Sequence, residues 1–285
     1  MIEAKEVFGR KQLGDLGKRL ALHLVLGVGG LAMLVPLAWT VSSSLKPYYL
    51  VFVFPPQWIP KPIYWGNYTR VFEVAPYARW YLNTAIVAVS VTGLLLLTSS
   101  AAGYAFARLR FPHRDTIFLM YLGTLMIPGH VTLIPRFVLI QKLGWINTFA
   151  ALIVPGIVGA FGTFFMRQFF LTVPEELGDA ALIDGCSHYA IFLRIMMPLA
   201  GPGLATLAIF TFVSSWNDFL WPLIVTRSPS MWLVSVGLRA FSGEFFTEWG
   251  LLMAAACLGL IPTLIVYVSG QKYFVRSISF TGLKG

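Results

Sequence analysis

The sequence predicts an all-α membrane protein with six transmembrane helices. Apolar residues make up 57% of the 285-residue chain and charged residues only 12%, whereas about 25% of the residues of soluble domains are charged. Several apolar runs reach the roughly 18–20 residues that a membrane-spanning helix needs. These runs lack the polar face of an amphipathic helix, which disfavours a large soluble protein with buried helices.

The six predicted spans are separated by segments that are charged or rich in Pro and Gly. They cover residues 20–43, 82–107, 116–139, 149–167, 203–225 and 249–270. The predicted layout is a charged N-terminal segment (1–19), the first span and its end (20–45), an external loop (46–81), a five-helix core (82–270) and a C-terminal tail (271–285). The first apolar run is too long, and its charged leader too extended, for a cleavable signal peptide.

The basic residues predict the orientation in the membrane. With six spans, both termini lie on the same side, and that side carries most of the 21 basic residues. They are Lys5, Arg10, Lys11, Lys18, Arg19, Arg108, Arg110, Arg114, Arg167, Arg194, Lys272, Arg276 and Lys284. Cytoplasmic loops carry the excess of Lys and Arg, so we expect both termini in the cytoplasm. The net charge of +9 then reflects this bias and attraction to anionic lipid, not a nucleic-acid partner.

Motifs for catalysis and for metal binding are absent from the sequence. It contains no GxxxxGK[ST], HExxH or GxSxG pattern, and its four histidines are scattered. Cys186 is expected in a cytoplasmic loop and Cys257 inside the last span, so a disulfide between them is not expected. Asp179 and Asp184 are five residues apart, which places them about 140° apart around a helix and disfavours a catalytic pair. We therefore expect neither an enzyme nor a cofactor or metal bound by this chain.

The polar segment 172–202 lies between two of the most apolar runs and predicts a helix-turn-helix on the cytoplasmic face. Thr172 and Glu175 have the spacing of a capping box. Pro174 suits a first helical turn, and the acidic residues at 175, 176 and 179 favour a helix N-terminus. A short helix is therefore expected to begin here.

The end of that helix and the start of the next are also indicated. Gly185 can adopt the left-handed conformation that ends a helix, and Ser187 can cap a second helix. Pro198 and Pro202 are expected to break or redirect the chain before the fifth span. The small residues of the first helix and the bulky Phe192 of the second indicate a docking surface.

At this segment the chain resembles the permease subunits of bacterial ABC importers. Their "EAA" loop has the pattern EAA, x3, G, x9, I-x-L-P, which corresponds to Asp179-Ala180-Ala181, Gly185, Ile195 and Met197-Pro198. Asp for Glu and Met for Leu are the departures. The segments "PPQWIPKPIYWGNYTRVF", "LNTAIVA", "AAGYAFARLRF", "LGWINTF", "SSWNDFLWPL", "WGLLMAA" and "QKYFVRSISFTGLKG" are similar to the smaller six-span subunit of the maltose-type, carbohydrate-importing branch.

The resemblance implies a fold, partners and a location. It implies the type I importer (MetI-like) permease fold with a cytoplasmic coupling helix, in the bacterial inner membrane. The implied partners are a second, homologous permease, two copies of a cytoplasmic ATPase that uses ATP and Mg, and an external solute-binding protein. A stand-alone sugar facilitator or secondary transporter remains the alternative, although the chain shows no obvious repeat and few intramembrane carboxylates.

The resemblance also assigns residues to ATPase coupling, through the loop 174–202. These residues are Glu176, Asp179, Ala180, Ala181, Asp184, Gly185, Phe192, Ile195 and Pro198. In this interpretation Gly185 is the hinge turn, the two alanines are a close-approach surface, and Phe192 with Ile195 is the anchoring face. Asp179 is either a partner contact or a charge that stabilises the helix end.

Polar residues in the third and fifth predicted spans are candidates for a substrate path. They are His130, Arg136, Trp216, Asn217 and Asp218. Asn217 and Asp218 either line the path or form hydrogen bonds between helices. Arg136 either extends to the membrane interface or, with His130, attracts an acidic sugar. Trp216 suits either sugar stacking or an interfacial position.

Overall fold

The computed structural model describes residues 2–243 and 247–281, and side chains over 18–243 and 247–271. Their regular secondary structure is helical. The α-helices are α1 (Ile2–Ser44), α2 (Gly66–Val74), α3 (Tyr77–Arg108), α4 (Arg114–Gly123), α5 (Leu133–Lys142), α6 (Phe149–Ile153), α7 (Ala160–Thr172), α8 (Glu176–Ile183), α9 (His188–Ile191), α10 (Met197–Leu199), α11 (Gly201–Trp216), α12 (Leu220–Val225), α13 (Val234–Gly237) and α14 (Trp249–Thr281). Of the basic residues used for orientation, Lys5, Arg10, Lys11, Lys272, Arg276 and Lys284 lie outside the described side chains.

Three of the six predicted spans are continuous helices. They are long and apolar enough to cross a membrane: Lys18–Ser44, Tyr77–Arg108 and Trp249–Gln271. Two bent pairs qualify as single broken spans: Phe149–Gly156 with Ala160–Thr172, bent by 41°, and His188–Leu199 with Gly201–Trp216, bent by 76°. Among the described residues the count is therefore three to five, and the expected six are not confirmed.

Three predicted spans are wrong as continuous helices. The segment 149–167 is split between α6, which ends at Ile153, and α7, which begins at Ala160. The segment 116–139 is split between α4 and α5, because the chain turns at Pro128-Gly129, where helical hydrogen bonding is interrupted. The segment 203–225 is split between α11, which ends at Trp216, and α12, which begins at Leu220. All three interruptions are relevant to function, because residues from their surroundings line one cavity.

The chain divides into two compact units. The first comprises residues 1–71 and 244–257, and the second comprises 72–243 and 258–285. In the first unit, Asn67 fixes the segment after α1 by donating hydrogen bonds to the carbonyl oxygens of Ser44 and Lys46, both at 2.8 Å. Gly250 allows this close packing, since a Cβ there would lie 2.8 Å from the Asn67 amide nitrogen and 2.9 Å from the Lys46 carbonyl oxygen.

The second unit is built around α3, α7 and α11. Gly103 of α3 lets the backbone of α7 approach, because a Cβ there would lie 2.8 Å from both Met166 Cβ and Arg167 N. Gly162 of α7 likewise allows close approach, because a Cβ there would collide with the Ser99 side chain of α3. Small residues at such crossings let apolar helices pack closely where no hydrophobic effect drives them together in lipid. The crossing brings the C-terminal ends of α3 and α7 together at the start of the segment 172–202.

Candidate functional site: the segment 172–202 and a polar cavity

The turn between α8 and α9 has the conformation that the sequence predicts. Gly185 has φ +79°, in the left-handed region. Its N–H donates to the Leu182 carbonyl at 3.0 Å, and the Cys186 N–H donates to the Ala181 carbonyl at 2.9 Å. This pair of hydrogen bonds is the Schellman motif that closes a helix C-terminus. Ser187 then caps α9 by accepting a hydrogen bond from the Ala190 N–H at 3.3 Å, so both predictions are confirmed.

The predicted capping box at the start of α8 is wrong. Thr172 is still the last residue of α7, and its hydroxyl donates to the Phe169 carbonyl at 2.7 Å. The N-cap of α8 is Glu175, whose side chain forms no capping hydrogen bond. Instead, the Glu175 carboxylate lies 3.4 Å from a guanidinium nitrogen of Arg108. A long-range ion pair therefore replaces the expected local cap.

Residues assigned to coupling separate into an exposed group and a packed group. The exposed group consists of Glu176, Asp179, Ala180, Asp184, Gly185 and Pro198. Ala181 is buried, which corrects its assignment to the docking surface. Its neighbours in the same hydrophobic core include Ile191 and Met196, so burial of the Ala181 methyl group holds α8 against the second helix.

Phe192 and Ile195 are anchors within this chain. Both are half-buried against the core cluster that contains Ala181. The Phe192 ring lies 5.2 Å, centroid to centroid, from the ring of Tyr104 in α3. Pro198 lies inside α10, and the chain bends by 76° before α11, as the prolines predicted. The second helix of the segment is thus held firmly to α3, while α8 presents polar residues outward.

Two arginines that the sequence reasoning did not assign to the site join the ends of α3 and α7. Arg108 of α3 donates to the carbonyl oxygens of Phe170, at 2.7 Å, and Val173. In return, Arg167 of α7 donates to the Phe106 carbonyl at 3.2 Å. Each guanidinium donates hydrogen bonds to carbonyl oxygens at the C-terminal end of the other helix. These carbonyls lack intrahelical donors, and the helix dipole favours a cation there. The segment "AFARLRF" contained the signal, but the identity of the partner carbonyls depends on the tertiary fold.

The arginine at 114 extends this basic region. Arg114 donates to the Asp115 carboxylate at 3.0 Å, which holds the pKa of Asp115 below its usual value, and the nearby charge of Arg167 lowers it further. Arg108, Arg110 and Arg114 line a cavity of about 420 Å³ together with Glu175 and Asp179. The base of the segment 172–202 is therefore a mixed-charge region with an excess of arginine.

A second, larger cavity collects part of the predicted substrate path. It has a volume of about 790 Å³, within the range of small-molecule sites. Its polar lining residues are Arg136, Thr211, Ser214, Ser215, Asn217 and Asp218, and its aromatic ones are Phe161, Phe210, Phe219 and Trp221. Hydroxyls, charges and aromatic faces together can bind a polyhydroxylated solute.

Arg136 is fixed at this cavity by an aromatic ring. Its guanidinium carbon lies 4.0 Å from the centroid of Trp221, which is the geometry of a cation–π contact. The Trp221 ring is itself held by a hydrogen bond from its Nε1 to the Ala151 carbonyl at 2.8 Å. Trp221 was missed by the sequence reasoning, because only the break at residues 217–219 turns it towards Arg136.

His130 and Trp216 do not line this cavity, and their assignment to a substrate path stays a prediction. His130 is exposed in the turn before α5. Trp216 is buried, with its Nε1 donating to the Gly259 carbonyl at 2.9 Å and its ring packed between Tyr81 and Phe212. The ring of Trp216 therefore fills the helix interface, and this explains its apolar surroundings without a ligand.

Known proteins resemble the chain over most of its length. Residues 99–280 match the model of the family described as "Binding-protein-dependent transport system inner membrane component". The arabino-oligosaccharide transport system permease AraQ of Halalkalibacterium halodurans is 39% identical over 227 residues, covering 79% of this chain and 81% of the relative. The sn-glycerol-3-phosphate transport system permease UgpE of Pectobacterium atrosepticum is 33% identical over 264 residues, covering 90% and 94%.

A solved structure shows the same fold. It is a chain of a bacterial ABC transporter involved in the import of the acidic polysaccharide alginate, with a TM-score of 0.80, 24% sequence identity, and coverage of 90% of this chain and 95% of that one. At this identity the likeness concerns the fold alone. Together with the family match over residues 99–280, it agrees with the MetI-like architecture that the resemblance implied. The chain belongs to the family of inner membrane components of binding-protein-dependent transport systems.

Proposed function

We propose that the chain is the permease subunit of an ATP-driven importer that moves a carbohydrate, most simply an oligosaccharide, into the cytoplasm. Family membership supports this proposal. So do relatives at 33–39% identity that are named for transport of arabino-oligosaccharides and of sn-glycerol-3-phosphate. The complete importer would contain a second permease, two ATPase subunits that bind ATP and Mg, and an external solute-binding protein. The same membership favours an importer subunit over a stand-alone facilitator or secondary transporter.

Coupling to the ATPase is assigned to the loop 174–202. The observation that carries this assignment is the division of the loop into an exposed helix α8 and an anchored second helix. A force on the exposed residues of α8 would pass through the Gly185 turn and through Ala181 into the core formed with α3 and α7. Rigid elements in direct contact can transmit such a displacement.

The orientation follows from the same region. Arg108, Arg110, Arg114 and Arg167 all lie at the end of α3 and α7 that meets the loop. Since cytoplasmic ends of spans carry the excess of basic residues, this end is assigned to the cytoplasm. With both termini on the same side, segments 1–19 and 271–285 are cytoplasmic and 46–81 is external, where a binding protein can reach it.

The substrate path is assigned to the cavity at Arg136, Asn217 and Asp218. An acidic sugar is the second candidate substrate class, because a guanidinium can bind a carboxylate through two hydrogen bonds. The position of the Arg136 guanidinium at the cavity favours this acidic class. The Asp218 carboxylate in the same cavity opposes it.

Reconstitution of the complete importer tests the function. The chain is purified with the products of neighbouring genes, placed in proteoliposomes with the binding protein, and supplied with neutral or acidic oligosaccharides. We expect an ATPase to co-purify and sugar to stimulate ATP hydrolysis, whereas transport by this chain alone would contradict the proposal. A loss of the response to acidic sugars in Arg136→Gln supports the acidic class, and stimulation by neutral sugars alone rejects it.

A further inference from the structure

The cavity at the breaks in the helices holds two opposite charges that are not joined to each other. Arg136 belongs to α5, and Asp218 lies in the three-residue break between α11 and α12; both line the cavity. Within the described part of the chain, no ion pair with an N–O distance of 4 Å or less connects them. Both charges therefore face the same space and contribute separately to its electrostatic potential.

Arg136 is held in a position where its charge remains directed at the cavity. The Trp221 ring supports one face of the guanidinium, and the Arg136 Nε atom is buried without a hydrogen-bond partner in the described residues. The other guanidinium nitrogens can donate charge-assisted hydrogen bonds to an anionic solute in the cavity. Without an opposing charge, this arrangement would select anions.

Asp218 supplies the opposing charge. Its neighbours Asn217, Ser214 and Ser215 also line the cavity and offer uncharged donors and acceptors. At distances longer than their separation, the charges of Asp218 and Arg136 largely cancel, so a solute entering the cavity meets hydrogen-bonding groups and little net charge. Removing the carboxylate would leave the arginine uncompensated.

We propose that Asp218 is the charge-selectivity residue of this cavity: it offsets Arg136 and thereby disfavours anionic solutes relative to neutral and cationic ones. The proposal rests on the proposed function, because the cavity is taken as the substrate path. It assigns to Asp218 a role towards the solute, which differs from a hydrogen bond between helices. It also means that one substitution, Asp218→Asn, would change the substrate charge that the cavity prefers.

Thiol labelling tests the charge directly and does not require transport. Cys186 and Cys257 are replaced by serine, and the cavity residue Ser214 is changed to cysteine (Ser214→Cys) in the assembled complex. Its labelling rates are measured with an anionic sulfonatoethyl and a cationic trimethylammonioethyl methanethiosulfonate. The ratio of the two rates cancels changes in thiolate content and in general access, which affect both reagents alike.

The expected result is a change in that ratio with the charge at 218. Asp218→Asn should raise the anionic-to-cationic ratio by about fivefold or more, Arg136→Gln should lower it, and Asp218→Glu should leave it near the parent value. An unchanged ratio in Asp218→Asn, with Arg136→Gln still effective, overturns the proposal. Failure of the proposed function looks different: no sugar stimulates ATP hydrolysis in the parent complex, while the labelling ratio still responds to Asp218→Asn.

Discussion

Replacing Gly185 separates backbone strain from bulk at the turn between α8 and α9. Gly185 has φ +79°, and a Cβ built there meets no atom within 4 Å. Within this chain, the cost of Gly185→Val is therefore conformational. The left-handed conformation costs an L-residue about 1–2 kcal/mol, and more for a β-branched one. Since 1.4 kcal/mol is a factor of ten, the closed turn would be about tenfold or more less populated.

Gly185→Asn is the matched control. Asparagine is close to valine in size but adopts the left-handed conformation several-fold more readily than most residues. We expect Gly185→Val to abolish sugar-stimulated ATP hydrolysis and uptake in proteoliposomes, while the chain still inserts and α1, α3 and α14 are unaffected. Gly185→Asn should retain most of the activity, because its turn can still form both Schellman hydrogen bonds.

The pattern of losses distinguishes three explanations. Loss in the valine variant alone identifies the backbone conformation as the requirement. Loss in both variants identifies added bulk at a docking surface as the cause, because both side chains project into the same open space. Normal uptake in Gly185→Val refutes the assignment of this turn to coupling. Co-purification of the ATPase, measured in parallel, shows whether docking or transmission is lost.

Three further substitutions test other parts of the molecule. Asp179→Ala should reduce uptake well below half of the parent value if the exposed carboxylate contacts a partner, whereas a helix-end charge is worth only about 0.3–1 kcal/mol and would leave uptake above half. Arg108→Gln should lower the unfolding free energy of the complex by about 2–3 kcal/mol, measured by denaturation, because hydrogen bonds from its charged guanidinium to two carbonyls are lost; Arg110→Gln, at an exposed position, is the control. The buried Lys46, whose Nζ has no hydrogen-bond partner in the described structure, has a pKa lowered by desolvation, so the unfolded state binds more protons between that pKa and the usual 10.5. Melting temperature should therefore rise with pH in that window in the parent protein, and this rise should be absent in Lys46→Met.

Local signals in the sequence were sufficient to predict the turn between α8 and α9. Gly185 and Ser187 act through hydrogen bonds to residues within four positions, and such local geometry can be predicted from residue type. Thr172 and Glu175 had an equally good local signal, and the prediction there was wrong. The helix α7 extends through Thr172, and Arg108, which is distant in sequence, competes for Glu175.

The spans illustrate a different limit. An apolar run shows that a segment can reside in lipid, but apolar composition does not distinguish one straight helix from two helices with a break. The break at Pro128-Gly129 was visible in the sequence as a helix-breaking pair. The break at residues 217–219 has no proline or glycine, and its signals are Asn217 and Asp218, which favour helix caps, and Pro222 in the first turn of α12. The cavity depends on both breaks, so the position of Trp221 beside Arg136 was missed.

In the proposed orientation, the arginines at the ends of α3 and α7 satisfy two physical requirements with the same side chains. Cytoplasmic ends of membrane helices carry positive charge, and the last carbonyls of any helix lack intrahelical donors. Arg108 and Arg167 supply both the charge and the donors, each to the neighbouring helix. Two features therefore stabilise the packing of α3 against α7. Small residues allow close contact in the apolar part, and charged hydrogen bonds join the two helices at their ends. Arg108 also lies 3.4 Å from the Glu175 carboxylate, so one guanidinium contacts the start of α8 as well as the end of α7.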